Sequence, residues 1–590
     1  MSSPSRIRRL ERLCWLVALM LGFLQAWGRR HASAEGLRYI GADSISYLDL
    51  GDAYARGDWA HAINAMWSPC YSWLLGLTLR LFKPAPAQEF TIARLLNFVI
   101  YAAALAAFAF CVRALLRTRR TRLTDAQASA TEKTQADART HALWPDYALL
   151  LVGYACFIWT ALMMNRVARI SPDLLVSVWV YLAAGLLLRA CMGDLRWRNF
   201  ALLGLVFGVG YLTKTVVFPL AFVWLACAFC AIKPRRRAAP RVLVALLVFV
   251  FVAMPFVVAL SRHQHRLTIG DSAQLNYAWY VNRVTPFTHW QGEPAGSGTP
   301  VHPTRQIFTA PNVYEFATPV AGTYPPWYDP TYWYAGVTPH FNLRQQARTI
   351  ARNLYLLARF IGTRIFLLAL LLCLFILFYF NRRGRTLSGD VTTLWLVSLP
   401  SLIACCLYLL INVEARYLAP FFTLIALSLF ACLRLPETRA TQRLTRATIV
   451  IILLACALSL APDAARDVYA TTRDIFTNQA AADDGQWQIA SELQRLGVRP
   501  GAQVAVIGDA MYAAWPRLAR VRVVAELPVQ PAGNGAAFWT ADEARKQQII
   551  AAFAHTGAQV IVVEHVPQGV ALAGWQRIGQ TDHYIYFLSR

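Results

Sequence analysis

The sequence predicts a polytopic α-helical membrane protein that ends in a small α/β domain. The chain has 590 residues, of which 57% are hydrophobic, and its mean hydropathy is +0.39. The apolar residues come in long runs, and about 20 such residues cross a bilayer as a helix. The short alternating segments that are typical of a membrane β-barrel are missing from most of the chain.

Eleven apolar runs are predicted to cross the membrane as helices. Their residues are 13–28, 90–116, 144–163, 171–192, 199–213, 215–232, 241–260, 358–380, 391–411, 417–434 and 446–462. With the N-terminus placed in the cytoplasm, each of the six cytoplasmic segments contains basic residues, as the positive-inside rule requires. These basic stretches begin at Arg6, Arg117, Arg196, Lys233, Arg382 and Arg434. Because one missed span would invert every later loop, the agreement supports this orientation.

The N-terminus imitates a signal peptide, but we expect it to be an uncleaved first span. Basic residues precede the apolar stretch, and Ala32-Ser-Ala34 matches a cleavage site. The charged pair Arg29-Arg30 interrupts the approach to that site, which favours retention of the span.

Three larger segments are predicted to lie outside the membrane. They are residues 29–89, residues 261–357 and the tail from 463 to 590. We therefore divide the chain into a transmembrane domain, 1–462, and an outer domain, 463–590.

The tail has the pattern of a small α/β domain. Strand-like apolar runs occur at Gln503–Ile507 and Gln559–Val563, and a helical stretch near 541–555 lies between them.

Composition argues against nucleic acid as a partner and against a disulfide framework. The net charge is +25, but the Arg cluster in loops between apolar runs, and no nucleic-acid-binding fold signature is present. Most of the 12 Cys lie in apolar runs, where they are expected to be small core residues. The outer His residues lack metal-ligand spacing, so no cofactor is firmly predicted and a divalent metal stays open.

Charged residues at the outer mouths of helices are the feature that points to a site. Cations are expected to be scarce outside, yet this side carries Arg94, Arg166, Arg169, Lys214 and Arg416. One interpretation is that each cation extends toward lipid headgroups. Acidic residues accompany them, however, at Asp43, Asp173 and Glu414. Charged groups near membrane depth usually face a substrate path, and a basic cluster suits a phosphate or diphosphate on a lipid.

Four motifs in order on this side carry a family resemblance. They are Asp43 with Tyr47-Leu48, Trp67-Ser-Pro69 and Tyr71; Ile170-Ser-Pro-Asp173; Gly208-Val-Gly-Tyr-Leu-Thr-Lys214; and Glu414-Ala-Arg-Tyr417. Together they resemble the GT-C superfamily of glycosyltransferases, and within it the protein-mannosyltransferase and aminoarabinose-transferase-like branch, family 39. The resemblance covers residues 10–435. Another stretch, Tyr324-Pro-Pro-Trp-Tyr-Asp-Pro330, looks like a subgroup signature to which we assign no role.

The resemblance implies a multi-pass enzyme of the bacterial cytoplasmic membrane with an outward-facing active site. It would move a sugar from a polyprenyl-phosphate-linked donor to a glycolipid, polysaccharide or protein acceptor by an inverting displacement. Relatives that modify proteins often have an Asp-Glu pair where this chain has Asp43-Ser44. That departure argues against a protein acceptor.

The residues that match the motifs are expected to divide the chemistry between them. Asp43 would be the general base, and Asp173, the second residue expected to be catalytic, would orient a cation or the sugar. The expected substrate-binding residues are Lys214, Arg416, Arg169, Arg94, Glu414 and Tyr417. The other Asp of the first outer segment are expected to be helix caps and solvated loop residues, and these are Asp49, Asp52 and Asp58.

Two other functions fit parts of the sequence. An O-antigen ligase or polymerase-like enzyme would use Arg and His from a late outer loop, and 261–357 contains Arg283, His289, Arg305 and His340. A secondary transporter is the alternative from another class, although no internal repeat is visible. Replacement of Asp43 alone would separate the transferase from the ligase.

Overall fold

The computed structural model describes ten stretches of the chain. They are residues 4–28, 41–128, 141–285, 289–381, 391–477, 485–529, 533–564, 566–567, 569–570 and 572–588. The signal-peptide-like residues Arg29-Arg30 and Ala32-Ser-Ala34 lie outside the described residues, as do the basic residues from Arg382 to Arg385.

Helices account for most of the described chain up to residue 477, and all eleven predicted apolar runs fold as helices. In chain order these helices are α1 (Pro4–Gly28), α2 (Ala42–Arg56), α3 (Trp59–Ala62), α4 (Pro69–Phe82), α5 (Glu89–Ala128), α6 (Asp146–Trp159), α7 (Asp173–Cys191), α8 (Trp197–Thr213), α9 (Val217–Ala231), α10 (Arg235–His263), α11 (Ser272–Tyr280), α12 (Pro325–Tyr328), α13 (Pro330–Trp333), α14 (Leu343–Gly362), α15 (Ile365–Asn381), α16 (Val391–Ile411), α17 (Ala415–Ala431) and α18 (Arg439–Thr477). A π-helical segment, Thr160–Asn165, continues α6.

Six of the described helices are long and apolar enough to cross a membrane on their own. A seventh crossing arises if α14 and α15, which meet at an angle of 90°, count as one broken span. Three shorter apolar helices occur at Val217–Ala231, Trp395–Ile411 and Ala415–Ala431. The protein is therefore a multi-pass membrane protein.

The predicted span 358–380 begins in the wrong place. The chain turns at Thr363 and Arg364, so that residues before this point belong to α14 and only α15 continues the apolar run. Because α14 combines exposed Arg residues with an apolar face, it resembles a helix that lies in the membrane interface and not one that crosses the bilayer core.

The sheet domain has seven strands, in the order β2-β3-β6-β5-β7-β9-β8. Its strands are β2 (Arg305–Phe308), β3 (Val313–Glu315), β5 (Gln503–Gly508), β6 (Arg522–Pro528), β7 (Val560–Glu564), β8 (Gln576–Arg577) and β9 (His583–Phe587). The two remaining strands, β1 (His141–Leu143) and β4 (Arg434–Pro436), pair antiparallel in a separate sheet. The three central strands, β6, β5 and β7, are parallel. The helices of the tail are α19 (Gly485–Arg495), α20 (Trp515–Leu518), α21 (Asn534–Thr540) and α22 (Glu543–Ala554). The predicted small α/β domain is confirmed.

The sheet is built from two parts of the chain. Strands β2 and β3 belong to the outer segment 261–357, and β3 pairs antiparallel with β6 of the tail. Helix α18 also runs through the division that the sequence suggested between residues 462 and 463. The outer segment and the tail therefore form one structure over the membrane domain.

Two glycines allow the first outer helices to touch. A Cβ atom on Gly76 would lie 2.2 Å from the carbonyl oxygen of Gly51, a distance that no side chain tolerates. Helices α2 and α4 consequently pack backbone to backbone. This contact fixes α2, whose first turn carries Asp43.

Candidate active site

Asp43 lies in the first turn of α2, with both carboxylate oxygens engaged. Oδ2 accepts a hydrogen bond from Nη2 of Arg416 at 3.1 Å, and Oδ1 accepts one from Nε1 of Trp327 at 3.2 Å. The side chain is still 29% exposed. Its partners orient the carboxylate, while its exposure leaves it within reach of a substrate.

Asp173, the first residue of α7, lies at the base of the site between two cations. Its Oδ1 is 2.6 Å from Nζ of Lys214, and its Oδ2 is 3.6 Å from Nε of Arg416 and accepts a hydrogen bond from Ser171. The side chain is only 3% exposed. Such a buried carboxylate aligns Lys214 and Arg416, as expected of a residue that orients a cation, and a contact between Asp173 and the sugar stays a prediction.

Glu414 and Tyr417 complete the arrangement at the start of α17. Arg416 Nε donates to Glu414 at 2.7 Å, and the Tyr417 hydroxyl donates to the other oxygen of Glu414 at 3.3 Å. Lys214 Nζ lies 3.7 Å from the centre of the Tyr417 ring. The aromatic face thus gives the ammonium group a second stabilising contact besides Asp173.

These residues come from distant parts of the chain. The cluster, by which we mean Asp43, Asp173, Arg169, Lys214, Glu414 and Arg416, joins the start of α2, the start of α7, the end of α8 and the start of α17. Three acidic and three basic groups therefore meet at one end of the helices.

Arg169 differs from the other two cations of the cluster because it has unused hydrogen-bonding capacity. The charges of Arg416, Glu414, Asp173 and Asp43 all act on its guanidinium. Its Nε is buried and has no hydrogen-bond partner within the described part of the chain. A buried donor without a partner is costly, so an incoming acceptor such as a phosphate oxygen would be favoured there.

Arg94 does not join the cluster. Its side chain is fully buried, and its Nε donates to the carbonyl oxygen of Ala168 at 3.1 Å. Asn97, on the same helix, donates to the carbonyl oxygens of Val167 and Arg169. Arg94 therefore holds the loop that presents Arg169, and the prediction that it binds substrate is replaced by this structural role.

Trp327 is a residue of the site that was not predicted from the sequence. It lies in the stretch 324–330 and donates to Asp43, and its carbonyl oxygen accepts hydrogen bonds from Ser46 and Trp67. Its ring stacks on Trp279, with centroids 5.4 Å apart. The stretch 324–330, to which no role was assigned from the sequence, therefore attaches the outer segment 261–357 to α2.

The structure corrects the interpretation of Asp49 and Asp52 as caps or solvated residues. Arg517, which lies in α20 of the sheet domain, is 2.6 Å from Asp49, 2.7 Å from Asp52 and 2.8 Å from Glu89. Asp49 also accepts hydrogen bonds from the backbone nitrogen and hydroxyl of Thr323. We call this group the interdomain ion cluster.

The interdomain ion cluster is buried and strongly charged. Arg517 is only 4% exposed and Glu89 is fully buried. Burial lowers the pKa of Arg517, but the carboxylates of Glu89, Asp52 and Asp49 outweigh it and raise the pKa above its ordinary value. Only Asp58 fits the original expectation, since it is partly exposed and pairs with His61.

The residues that suggested a ligase have other partners. His289 lies 3.1 Å from Glu526 of the sheet, Arg305 pairs with Glu315 of the neighbouring strand, and the backbone of His340 bonds to Asn282. Arg283 is exposed. The His289 contact joins the outer segment to the tail, and the contacts of Arg305 and His340 lie within the outer segment.

Within the described ranges, no group of three or more His, Cys, Asp and Glu is arranged to hold a metal ion. The carboxylates of the cluster are already paired with cations. The chemistry this set supports is proton removal by an oriented carboxylate beside cations that can stabilise a developing phosphate charge.

Comparisons with known proteins bear on the fold. No family model matches this sequence, and no curated protein sequence matches it. The solved structure of ArnT from Cupriavidus metallidurans in the apo state aligns with 97% of this chain and 96% of its own, at 11% identity and a TM-score of 0.50.

Two structures of the Archaeoglobus fulgidus oligosaccharyltransferase align less well. The complex with Zn and sulfate covers 94% of this chain and 68% of its own, at 10% identity and a TM-score of 0.46. The form tethered to an acceptor peptide with the NVT sequon covers 95% and 69%, at 10% identity and a TM-score of 0.47. The likeness to ArnT shows that the chain shares the fold of that structure, in agreement with the predicted architecture of membrane helices and a C-terminal α/β domain.

Proposed function

We propose that this protein is a membrane glycosyltransferase that transfers a sugar from a polyprenyl-phosphate-linked donor to a hydroxyl group of an acceptor. The reaction takes place at the outer face of a bacterial cytoplasmic membrane, with the N-terminus in the cytoplasm. The observation that carries this proposal is the meeting of Asp43 with Arg416, Lys214 and Arg169 at one end of the transmembrane helices.

Asp43 is the general base in a single inverting displacement. It takes the proton of the acceptor hydroxyl as the new bond to the anomeric carbon forms and the bond from that carbon to the phosphate oxygen breaks. Its partners Arg416 and Trp327 hold the carboxylate in one orientation. A positioned base of this kind contributes about 10²–10⁴-fold to the rate.

The cations stabilise the phosphate that leaves. Lys214 and Arg416 are already paired with carboxylates, whereas Arg169 has a free buried donor. Arg169 is therefore the main phosphate ligand, and Lys214 and Arg416 contribute further positive charge around it.

The acceptor is a glycolipid, polysaccharide or protein, and the Asp43-Ser44 sequence argues against a protein.

Lipid analysis of cells that lack the protein tests this function. We expect a polyprenyl-phosphate sugar to accumulate, and its mass would identify the sugar class. Native protein and Asp58→Asn should clear it, whereas Asp43→Asn should not. Unchanged lipid-linked sugars would contradict the proposal, and full rescue by Asp43→Asn would favour the ligase-like mechanism.

Replacement of Arg169 tests its contact with phosphate. Arg169→Gln is expected to raise the inhibition constant of free polyprenyl phosphate about tenfold or more, because a hydrogen bond to a charged group contributes about 1.5–3 kcal/mol. The matched control is Arg166→Gln, since Arg166 lies in the same loop and pairs with Asp463. Equal inhibition constants for the two variants would remove Arg169 from the phosphate site.

A further inference from the structure

Helix α4 has an exposed apolar stripe although its opposite face packs on α2. Trp73, Leu77 and Leu81 recur every four residues and are 38%, 64% and 72% exposed, and Phe82 follows them. An outer helix with one buried face and one exposed apolar face lies in the membrane interface. The stripe thus places the end of α4 at the level of the lipid headgroups.

A cleft of about 360 Å³ opens beside the end of this stripe. Its walls are the last turns of α2 and α4 and part of the sheet domain. Its charged lining residues are Arg56, Arg80, Lys83, Arg520 and Asp52.

The cleft carries uncompensated positive charge. Asp52 is its one acidic lining residue, and it already pairs with Arg517 at 2.7 Å. Arg520 pairs with Glu89 at 2.6 Å. Arg80 donates to the carbonyl oxygen of Ala55 at 3.1 Å, which holds its guanidinium at the cleft wall.

Helix-end electrostatics favour each of these cations singly, and the packing of two helix ends brings them to one cleft. A cation in the last turn of a helix interacts favourably with the helix dipole, which accounts for Arg56 on α2 and for Arg80 on α4. The same effect applies to Lys83, which is the C-cap residue of α4 and lines the same cleft. Three cations around one cleft suit an anion with several oxygen atoms.

The cleft is separate from the site around Asp43. Arg56 lies 13 positions after Asp43 on α2, which at 1.5 Å per residue corresponds to roughly 20 Å along the helix. An anion in the cleft is therefore a different group from the phosphate of the sugar donor.

We infer that this cleft binds the phosphate headgroup of an anionic lipid from the outer leaflet. The apolar stripe on α4 would contact the acyl chains of the same lipid, and Arg56, Arg80 and Lys83 would surround its phosphate. The inference does not depend on the transferase reaction, because it concerns binding alone.

Lipid binding to the purified full-length protein tests the inference. Native mass spectrometry would follow titration with phosphatidylglycerol, with phosphatidylcholine of the same acyl chains and with inorganic phosphate. The variant is Arg56→Gln/Arg80→Gln/Lys83→Gln. The charge-matched control replaces cations of the sheet domain, Arg499→Gln/Arg522→Gln/Lys546→Gln.

The native and control proteins should bind phosphatidylglycerol in preference to phosphatidylcholine. The cleft variant should bind phosphatidylglycerol on the order of 100-fold more weakly, since each cation near a membrane surface contributes roughly fivefold. Equal binding by the cleft and control variants would overturn the inference, and so would binding of inorganic phosphate as tight as that of the lipid. If the triple variant does not fold, Arg56→Gln and Lys83→Gln alone should each show a several-fold loss, and no loss would be contrary evidence.

Discussion

Purified Asp43→Asn protein is expected to turn over about 10²–10⁴-fold more slowly than the native protein, with little change in its affinity for polyprenyl phosphate. Asparagine keeps the size of the side chain, and its single amide oxygen can still accept a hydrogen bond from either Arg416 or Trp327. It cannot take a proton from the acceptor hydroxyl. The measurement is release of polyprenyl phosphate in the presence of acceptor, at saturating donor.

Asp58→Asn is the matched control, because Asp58 lies in the same outer segment and bonds to the exposed His61. This variant should retain native turnover. If Asp43→Asn lost donor affinity and kept its turnover, Asp43 would be a binding residue and the base would have to be sought elsewhere in the cluster.

The Arg517→Met protein is expected to be strongly destabilised, by about 3–5 kcal/mol, because removing one partner of a buried ion pair leaves charges without compensation. Here Asp49 and Glu89 would lose their buried partner. The readout is thermal unfolding of the detergent-purified chain together with hydrogen exchange of the sheet domain. Exchange should rise across β5 and β6, which flank α20 in the chain.

Two comparisons separate this effect from a general loss of charge. Arg520→Met removes a cation that is 35% exposed, so its cost should be about 1 kcal/mol or less. The double variant Arg517→Met/Glu89→Gln should be more stable than Arg517→Met alone, since it also removes the buried negative charge of Glu89, which Arg517 no longer compensates. Equal destabilisation by Arg517→Met and Arg520→Met would show that the interdomain ion cluster does not hold the domains together.

The membrane part was predictable because its signal is local. Each apolar run identifies its own helix, since a long run of apolar residues has no other stable structure in lipid. The predicted start of the span 358–380 was wrong, because the chain turns between α14 and α15 at residues 363 and 364. The apolar residues at the end of α14 continue directly into the apolar sequence of α15, so the composition does not mark the boundary. Such a run does not reveal a 90° turn.

The cluster was predictable for a related reason. A charge at the outer end of an apolar helix is conspicuous, so Asp43, Lys214 and Arg416 stand out against their surroundings. Sequence alone does not say which charges face each other. Arg94 and Arg169 look alike in the chain, yet one is buried against a backbone carbonyl and the other faces the carboxylates.

The interdomain ion cluster could not have been foreseen. Asp49 and Arg517 are 468 positions apart, and each is unremarkable in its own stretch of sequence. Trp327 was visible as part of an unusual Pro- and Trp-rich stretch, but its partner Asp43 is 284 positions away. Contacts of this range follow from the completed fold and leave no periodic pattern.

The mixed origin of the sheet has a consequence for how the protein is made. Strand β3 is synthesised before α14 to α18, but its partner β6 comes after them. Until α18 has been inserted, β3 presents an unpaired edge to solvent. Thr323 and Trp327 follow β3 in the chain and bond to Asp49 and Asp43, respectively. During that time the sheet that supports these two residues is incomplete. We expect the reaction centre to be assembled last, so that a chain whose final helices fail to insert is both inactive and open to proteolysis.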